Sequence, residues 1–455
     1  MRLTGHELKQ ATDGVWRKSE ADAIEGISTD TRQFRAGDAF LALRGPHFDG
    51  HRYAADVVHQ ANALIGDREG VRLWDDLARP QLEVDDTLVA LGDIAHAWRQ
   101  KLQYTTVVAI TGSYGKTSVR SMMHHAFTVL GVRCHATRAN LNNLVGVPLT
   151  LLDVPPEAEV ALIECGISEA GEMERLASIV APDVAVLTGL ATAHGEGLGG
   201  LHGVVAEKTK MLDGLAEQGW VLLGEGVTEL LAASGKHVGM HQLLDPQQAD
   251  YVQWELRGRI LTLRYADQQA QLELLLPARH WAANMALVAT MLLRWFAAQN
   301  REVPQLVDVA TALQGWTPPG GRMRLLQGTS LTVIDDCYNA NPVSMQAALD
   351  TLATLQGHCV AIIGDMAELG EGAECMHRQL RLHGVDEVVL IGSLMRQLAS
   401  THPHAHCFAD VEAAAIWLEG HRFPAGSTVL LKASRSMQLE RLLPLLGDVE
   451  VAHAV

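Results

Sequence analysis

This chain of 455 residues has no membrane-length apolar run, no closely paired cysteines and no long basic stretch. The best apolar segment, residues 285–293, is stopped by Arg294, well short of the roughly 18 apolar residues a bilayer span needs. The opening residues M-R-L-T-G-H-E contain no apolar core of the kind secretion signals carry. Six cysteines stand at 134, 165, 337, 359, 375 and 407 without a C-x-x-C pair, which argues against a disulfide framework. A reduced, cytoplasmic setting and no membrane insertion are expected. Acidic residues outnumber basic ones 53 to 36, a formal charge of −17, so nucleic acid and anionic membranes are excluded as main partners. Repeats and low-complexity segments are also absent. The remaining composition, 48% hydrophobic and 20% charged, is that of an ordinary globular protein long enough for two to four domains.

The most informative stretch is I-T-G-S-Y-G-K-T-S at 110–118. It follows an apolar β-type run, 105–110, and opens a helix expected to reach about residue 130. A glycine loop between strand and helix turns backbone N–H groups toward a phosphate chain. Gly112, Ser113, Tyr114 and Gly115 form that loop. Lys116 supplies a charge for the β/γ-phosphates, the Thr117 hydroxyl suits Mg²⁺, and Ser118 completes the nucleotide-binding run. The usual loop has four residues between its glycines, which would place glycine at 110, where Ile110 stands. This is the shorter T-G-S-x-G-K-T-S form.

Strand and helix patterns alternate on both sides of one break. Residues 159–164, 184–188 and 221–223 read as strands with helices between them, the rhythm of a mainly parallel sheet. Residues 251–276 carry three β-like runs, a small antiparallel appendage. The break is G-W-T-P-P-G-G at 315–321, whose prolines and glycines continue neither the helix before it nor the strand after it. Beyond it, 331–336, 360–364, 387–391 and 428–432 read as strands of a second doubly wound unit. The expected fold is α/β in three domains: a small α/β N-terminal domain (1–85), a central domain with a P-loop-type, mainly parallel sheet (86–317) and a Rossmann-like C-terminal domain (318–455).

The short glycine loop narrows the family. With S-T-D-T-R-Q at 28–33, A-L-R-G at 42–45, N-L-N-N-L-V-G-V-P at 140–148, D-C-Y-N-A-N-P at 336–342 and G-D-M-A-E-L-G at 364–370, the chain resembles the Mur ligases along nearly its whole length. These enzymes join amino acids or peptides to UDP-sugar precursors of the bacterial cell wall. The last two motifs look most like the member that adds D-alanyl-D-alanine to a UDP-N-acetylmuramoyl tripeptide. The resemblance implies an ATP- and Mg²⁺-dependent ligase of peptidoglycan synthesis, expected to be a monomer, acting through an acyl phosphate. The third residue of the tripeptide stays open.

Residues past the carboxyl ends of parallel strands carry the expected chemistry. Glu164 ends an apolar strand beside the phosphate loop and offers hard oxygen to Mg²⁺; its E-x-G setting matches the family. The resemblance makes His194 a ligand of a second Mg²⁺ and Lys208 the family's N-carbamoylated lysine, with Lys210 the neighbour it could be confused with. The catalytic set is therefore Lys116, Glu164, His194 and Lys208, and the metal set Thr117, Glu164, His194 and Lys208. Asn142 and Asn143, at an expected helix start, suit the phosphate or sugar of the precursor. Ser28, Thr29, Arg32, Arg44, Gly45 and His47 resemble the uridine-diphosphate pocket, with arginine meeting the diphosphate.

Asn284 resembles the adenine-reading asparagine of a G-x-H-N-x-x-N motif in which Ala278 and Trp281 replace the glycine and first asparagine. Arg322 is placed to reach the γ-phosphate after closure. Asp336, Tyr338 and Asn339 are expected at the nucleotide, Asn341 at the acceptor peptide, and Ser434 and Arg435, in a K-A-S-R version of K-G-S-R, at an incoming carboxylate. His402, His404, His406 and Cys407 alternate as metal ligands might, but read as a solvated loop. Two rival readings lack their motifs: another Mur-type ligase adding diaminopimelate or lysine, whose D-N-P-R motif for diaminopimelate is missing, and a non-catalytic P-loop nucleotide switch, whose base-reading N-K-x-D is missing.

Overall fold

The computed structural model describes residues 1–191, 198–235 and 242–451. Three α/β units follow one another. In the first, five strands run in the spatial order Val15–Arg17, Gln81–Val84, Ala63–Asp67, Ala39–Leu41, Ile27–Ser28. Only the first pair is antiparallel. Helix Thr87–Arg99 follows, capped by Asp86, whose carboxylate accepts the N–H groups of Leu88 and Val89. It buries Leu91, Ile94, Ala95 and Trp98 and packs against helix Gly5–Thr12 on one side and Gly146–Leu152 on the other. The first unit thus joins the second through a packed helix and not a free linker.

The second unit holds a six-stranded parallel sheet, ordered Cys134–Ala136, Val160–Glu164, Thr106–Thr111, Val184–Leu187, Trp220–Leu223, Gln242–Leu244. Its central strands are covered on both faces, which explains their almost unbroken apolar sequences. The chain leaves Thr106–Thr111 toward one edge and later returns to its other side at Val184–Leu187. The crevice of an α/β sheet lies at such a reversal. The antiparallel appendage expected over 251–276 is present as Gln253–Arg257, Ile260–Tyr265 and Gln268–Glu273.

Helix Arg279–Ala298 is long and apolar enough to cross a membrane by composition, yet 72% of its most apolar window is buried inside the protein. Its apolar character serves the core. Trp281 lies there edge-on to Trp316, ring centres 5.5 Å apart, so the tryptophan that stands where the family motif has asparagine packs beneath the 315–321 break.

The third unit is a seven-stranded sheet ordered His406–Phe408, Glu387–Ile391, Cys359–Gly364, Ser427–Lys432, Leu331–Asp336, Arg324–Gly328, Val449–Val451. The first five strands are parallel; Arg324–Gly328 runs antiparallel to them, and Val449–Val451 pairs antiparallel to it in turn. Those last two strands go beyond the sequence expectation: both are short, and Arg324–Gly328 comes directly after the break. His406 and Cys407, read from sequence as loop, lie in the outermost strand, where the His406 ring packs 4.5 Å from that of Trp417. Among the described residues, no group of three or more His, Cys, Asp or Glu could hold a metal ion. One apolar cluster runs from Met122 through Trp281 and Trp316 to Met345 and Leu430. The second and third units therefore share a core, and a cleft opens above it.

Candidate active site

The cleft, about 780 Å³, is lined from below by the glycine loop and from above by the start of the third unit. Gly112 must be glycine because a Cβ there would lie 2.3 Å from the Thr188 hydroxyl oxygen. Gly115, at φ +83°, is the residue before helix Lys116–Val129, a backbone angle glycine adopts freely. Residues just beyond strand Val184–Leu187 brace the loop. Ser113 N donates to Gly189 O at 2.7 Å, and the Ser113 hydroxyl exchanges hydrogen bonds with Ala191 at 2.8 and 3.0 Å. The Thr188 hydroxyl donates to Tyr114 O at 2.5 Å. Tyr114, Thr117 and Ser118 also line the cleft.

Glu164 is the hub. Its Oε1 accepts the Thr117 hydroxyl at 2.9 Å and Asn142 Nδ2 at 3.1 Å. Its Oε2 accepts Arg120 Nε at 3.0 Å. Burial raises its pKa, but the charges of Lys116, Arg120 and Arg322 and the Asn142 hydrogen bond outweigh this and leave it below the ordinary carboxylate value. Lys116 Nζ donates to Gly112 O at 2.8 Å. Its own pKa is lowered by burial, with Glu164 opposing and Arg322 adding to the shift. Three cations thus surround one carboxylate inside an acidic protein, leaving local positive charge for an anionic ligand.

Lys208 lies in the last turn of helix Gly200–Thr209, 1% exposed. Its pKa falls well below that of an ordinary lysine, because of burial first and the Lys116 charge second. No ion pair holds it among the described residues, whereas Lys210 points outward to Glu207 at 2.8 Å. An unpaired buried ammonium is costly, so this amine is held toward its neutral, nucleophilic form. His194 lies outside the described residues. The Thr117 hydroxyl and the Glu164 carboxylate, hydrogen-bonded at 2.9 Å, are two adjacent hard oxygens of the kind Mg²⁺ takes.

The third unit supplies Arg322, whose guanidinium lies 4.0 Å above the Tyr338 ring centre and lines the cleft with Lys116 and Asn284. Asp336 and Asn339 line it too, although Asp336 is already engaged: Oδ2 accepts Lys432 Nζ at 2.6 Å and Oδ1 accepts Met323 N at 2.9 Å. Asn341 borders the cleft and caps helix Pro342–Leu352, accepting Ser344 N at 2.9 Å. Of the two asparagines before helix Gly146–Leu152, Asn143 spends its carbonyl on Val145 N and Gly146 N.

The other residues expected at substrate lie elsewhere. Ser434 is buried and ties Ala367 N at 2.7 Å, while Arg435 pairs with Glu440 at 2.6 Å. Ala433, in place of the glycine of K-G-S-R, has no positive φ, so no strain follows. Its methyl instead fills the space in front of Gly364, where a Cβ would lie 2.9 Å from it. In the first unit, Arg44 gives Nε and Nη2 to Asp67 and Nη1 to Asp49, and Arg32 forks onto Asp30. Both guanidiniums are engaged by neighbouring carboxylates. The Ser28 hydroxyl donates to Asp30 O at 2.9 Å. Thr29 is half-buried beside it, and Gly45 and His47 are exposed. None of these first-unit residues lines the cleft.

Arg120 and Lys432 were not singled out as site residues from sequence. Arg120 had a local signal, since it follows Lys116 by four residues and shares its helix face. Lys432 had none beyond opening the K-A-S-R motif.

Comparison with known proteins covers all three units. The profile described as Mur ligase family, catalytic domain, matches residues 23–99; Mur ligase middle domain matches 110–292; Mur ligase, glutamate ligase domain, matches 321–435. The UDP-N-acetylmuramoyl-tripeptide–D-alanyl-D-alanine ligase of Bacillus subtilis is 32% identical over 449 residues, 93% of each chain. The Escherichia coli protein of the same name is 33% identical over 93% of this chain and 94% of its own. A crystal structure of MurF from Acinetobacter baumannii superposes with a TM-score of 0.84 at 28% identity, covering 98% of this chain and 99% of that one.

Proposed function

The chain belongs to the Mur ligase family, and we propose from that premise that it adds D-alanyl-D-alanine to a UDP-N-acetylmuramoyl tripeptide with hydrolysis of ATP to ADP and phosphate. The observation that carries the reading is the convergence of Lys116, Arg322 and Glu164 in one cleft between two units. ATP-driven amide formation needs such a place. A carboxylate of the tripeptide attacks the γ-phosphorus, forming an acyl phosphate and releasing ADP. The amine of D-alanyl-D-alanine then attacks the acyl carbon, the C–O bond to phosphate breaks, and the amine gives up a proton.

Both partners in the first step are anions, so charge neutralisation and placement provide the catalysis. The N–H groups of the glycine loop and Lys116 hold the phosphates from one side, and Arg322 from the other. Asn284 and Tyr338 sit where the nucleoside extends, with Asp336 and Asn339 behind them. Thr117 and Glu164 would hold Mg²⁺, with His194 the further ligand the family resemblance implies, and the ion when bound would screen the phosphate charge. The lowered pKa of Lys208 suits addition of carbon dioxide: the neutral amine forms an N–C bond, loses a proton and becomes a carbamate, turning a repelling cation into an anion facing the metal. Closure of the third unit over the second would keep water from the acyl phosphate. The uridine-diphosphate end of the donor extends to Ser28, Thr29, Gly45 and His47, with Asn142 nearer the reacting carboxylate. Arg44 and Arg32 shape that pocket through Asp49, Asp67 and Asp30. Work on a nucleotide-linked precursor fits a cytoplasmic monomer.

Phosphate release from ATP, measured with UDP-N-acetylmuramoyl tripeptide, should depend on D-alanyl-D-alanine and not on free diaminopimelate, lysine or D-alanine. Equal stimulation by a free amino acid would move the chain to another member of the family.

A further inference from the structure

Arg322 sits on an unusual piece of backbone. Gly321 and Met323, its two neighbours, both have positive φ, +71° and +57°. Glycine adopts this freely, but methionine does so at a cost, so something must hold the turn. Besides Arg322 N donating to Pro319 O at 3.2 Å within the turn, three hydrogen bonds do, all with strand Leu331–Asp336 and the residues just after it. Gly321 N donates to Asp335 Oδ2 at 2.9 Å, Met323 N to Asp336 Oδ1 at 2.9 Å, and Tyr338 N to Gly321 O at 2.9 Å. The arginine then lies across the Tyr338 ring.

The acceptor at the centre of this arrangement is itself precarious. Asp336 is 8% exposed and burial raises its pKa, with Lys432 opposing through its charge and its hydrogen bond. Lys432 is 2% exposed. Its Nζ lies 2.6 Å from Asp336 Oδ2 and donates also to Asn339 O at 3.0 Å. One ammonium therefore touches both sides of the turn's support, the carboxylate holding Met323 and the segment carrying Tyr338.

We propose that Lys432 is a positioning residue for the ligase reaction: through Asp336 and Asn339 it fixes the strained 321–323 turn and so aims Arg322 at the phosphate site. It acts through Arg322 and need not touch nucleotide. Without the ammonium, Asp336 loses its counter-charge, is driven toward its neutral form and becomes a weaker acceptor for Met323 N. The turn then relaxes toward ordinary φ, and the guanidinium leaves its place over Tyr338.

The inference rests on the ligase reading, and the experiment separates the two. Lys432→Met, Arg322→Ala and the double variant are compared with wild type by D-alanyl-D-alanine-dependent phosphate release. Hydrogen exchange is followed in peptides covering 320–324 and 331–336 without ligands. Misplacing a reacting group by about an ångström costs up to ~10²-fold. Accordingly, Lys432→Met should lower kcat by roughly 10- to 100-fold in the wild-type background, and by less than about threefold when Arg322 is already alanine. Exchange should speed up in 320–324 and stay slow in 331–336. If wild type shows no dependent phosphate release, the ligase reading fails. If wild type is active and the two substitutions multiply, or exchange in 320–324 is unchanged, the positioning role is overturned. Should Lys432→Met fail to fold, Lys432→Gln is measured in the same cycle and the same exchange experiment, with the same two outcomes deciding.

Discussion

The cleft and the N-terminal pocket treat their charges in opposite ways. Lys116 and Arg322, which line the cleft, and Arg120 surround the buried carboxylate of Glu164, while the other buried carboxylate there, Asp336, is paired with Lys432, so the protein leaves cationic charge uncancelled where anions must react. In the N-terminal unit, each expected anion-reading arginine is already cancelled, Arg44 by Asp49 and Asp67, Arg32 by Asp30. The first region carries an electrostatic cost that only ligand relieves. The second is satisfied as it stands and is suited to recognition by shape, hydroxyls and backbone. Net charge conceals this: a chain at −17 concentrates local positive potential where a phosphate chain belongs.

The largest effects should come from removing uncancelled charge. Lys116→Ala should leave folding intact, since its described partner is a single carbonyl, and should reduce turnover by at least ~10²-fold. Near-normal ligation by a folded variant would sink the nucleotide assignment. Lys208→Ala should be close to inactive, yet at least as stable to heat as wild type, because a buried cation without a described ion-pair partner is gone. Formate or acetate should restore part of the activity by standing where a carbamate would. Lys210→Ala, losing its pairs with Glu207 at 2.8 Å and Glu174 at 3.9 Å, should change turnover less than about threefold, because neither carboxylate lines the cleft. A sensitive Lys210 with a tolerant Lys208 would reverse the assignment.

The fold was legible where information is local. Apolar runs in the second and third units fall on strands buried on both faces, the glycine loop lies between strand and helix, and the proline- and glycine-rich break separates two sheets. What could not be read depended on distant partners. Glu164 and Arg120 are 44 residues apart, and Lys432 and Asp336 are 96 apart; no spacing rule joins them. The strands Arg324–Gly328 and Val449–Val451 exist through pairing across the whole third unit. Arg44 was visible as a cation, but the carboxylate of Asp67, brought to it by strand Ala63–Asp67, was not. A motif shows which side chains are present and leaves open which of them are already occupied.

A smaller effect, on stability, sharpens the contrast from within the cleft. His280, half-buried on its wall, has its pKa lowered to about 4, by burial first and then by the charge of Lys432. The unfolded chain protonates this histidine near pH 6.5 and the folded protein only near 4. Between those values the unfolded state binds more protons, so stability falls as pH drops from 6.5 toward 4 and is unaffected above that window. The full shift corresponds to about 3 kcal/mol. His280→Gln should lose this part of the acid sensitivity: the difference in unfolding free energy between pH 7 and pH 5, measured in urea, should shrink. An unchanged difference would mean that water reaches the ring.

The smallest effect belongs to the satisfied region. Arg44→Ala breaks a half-exposed network and not an anion clamp, so stability should drop by about 1 kcal/mol, the upper end for exposed pairs. The KM for UDP-tripeptide should rise a few-fold with kcat unchanged, because shape is loosened while the reacting groups, in another unit, stay in place. Freed from Arg44, Asp49 and Asp67 would face the diphosphate as unscreened carboxylates, so added salt should recover part of the KM. The double variant Asp49→Asn/Asp67→Asn leaves Arg44 uncancelled and gives the opposite case. If the protein cancels this arginine in order to hold shape, the double variant should also bind more weakly. If it binds UDP-tripeptide more tightly, Arg44 meets the diphosphate directly, and the contrast between the two regions is one of degree.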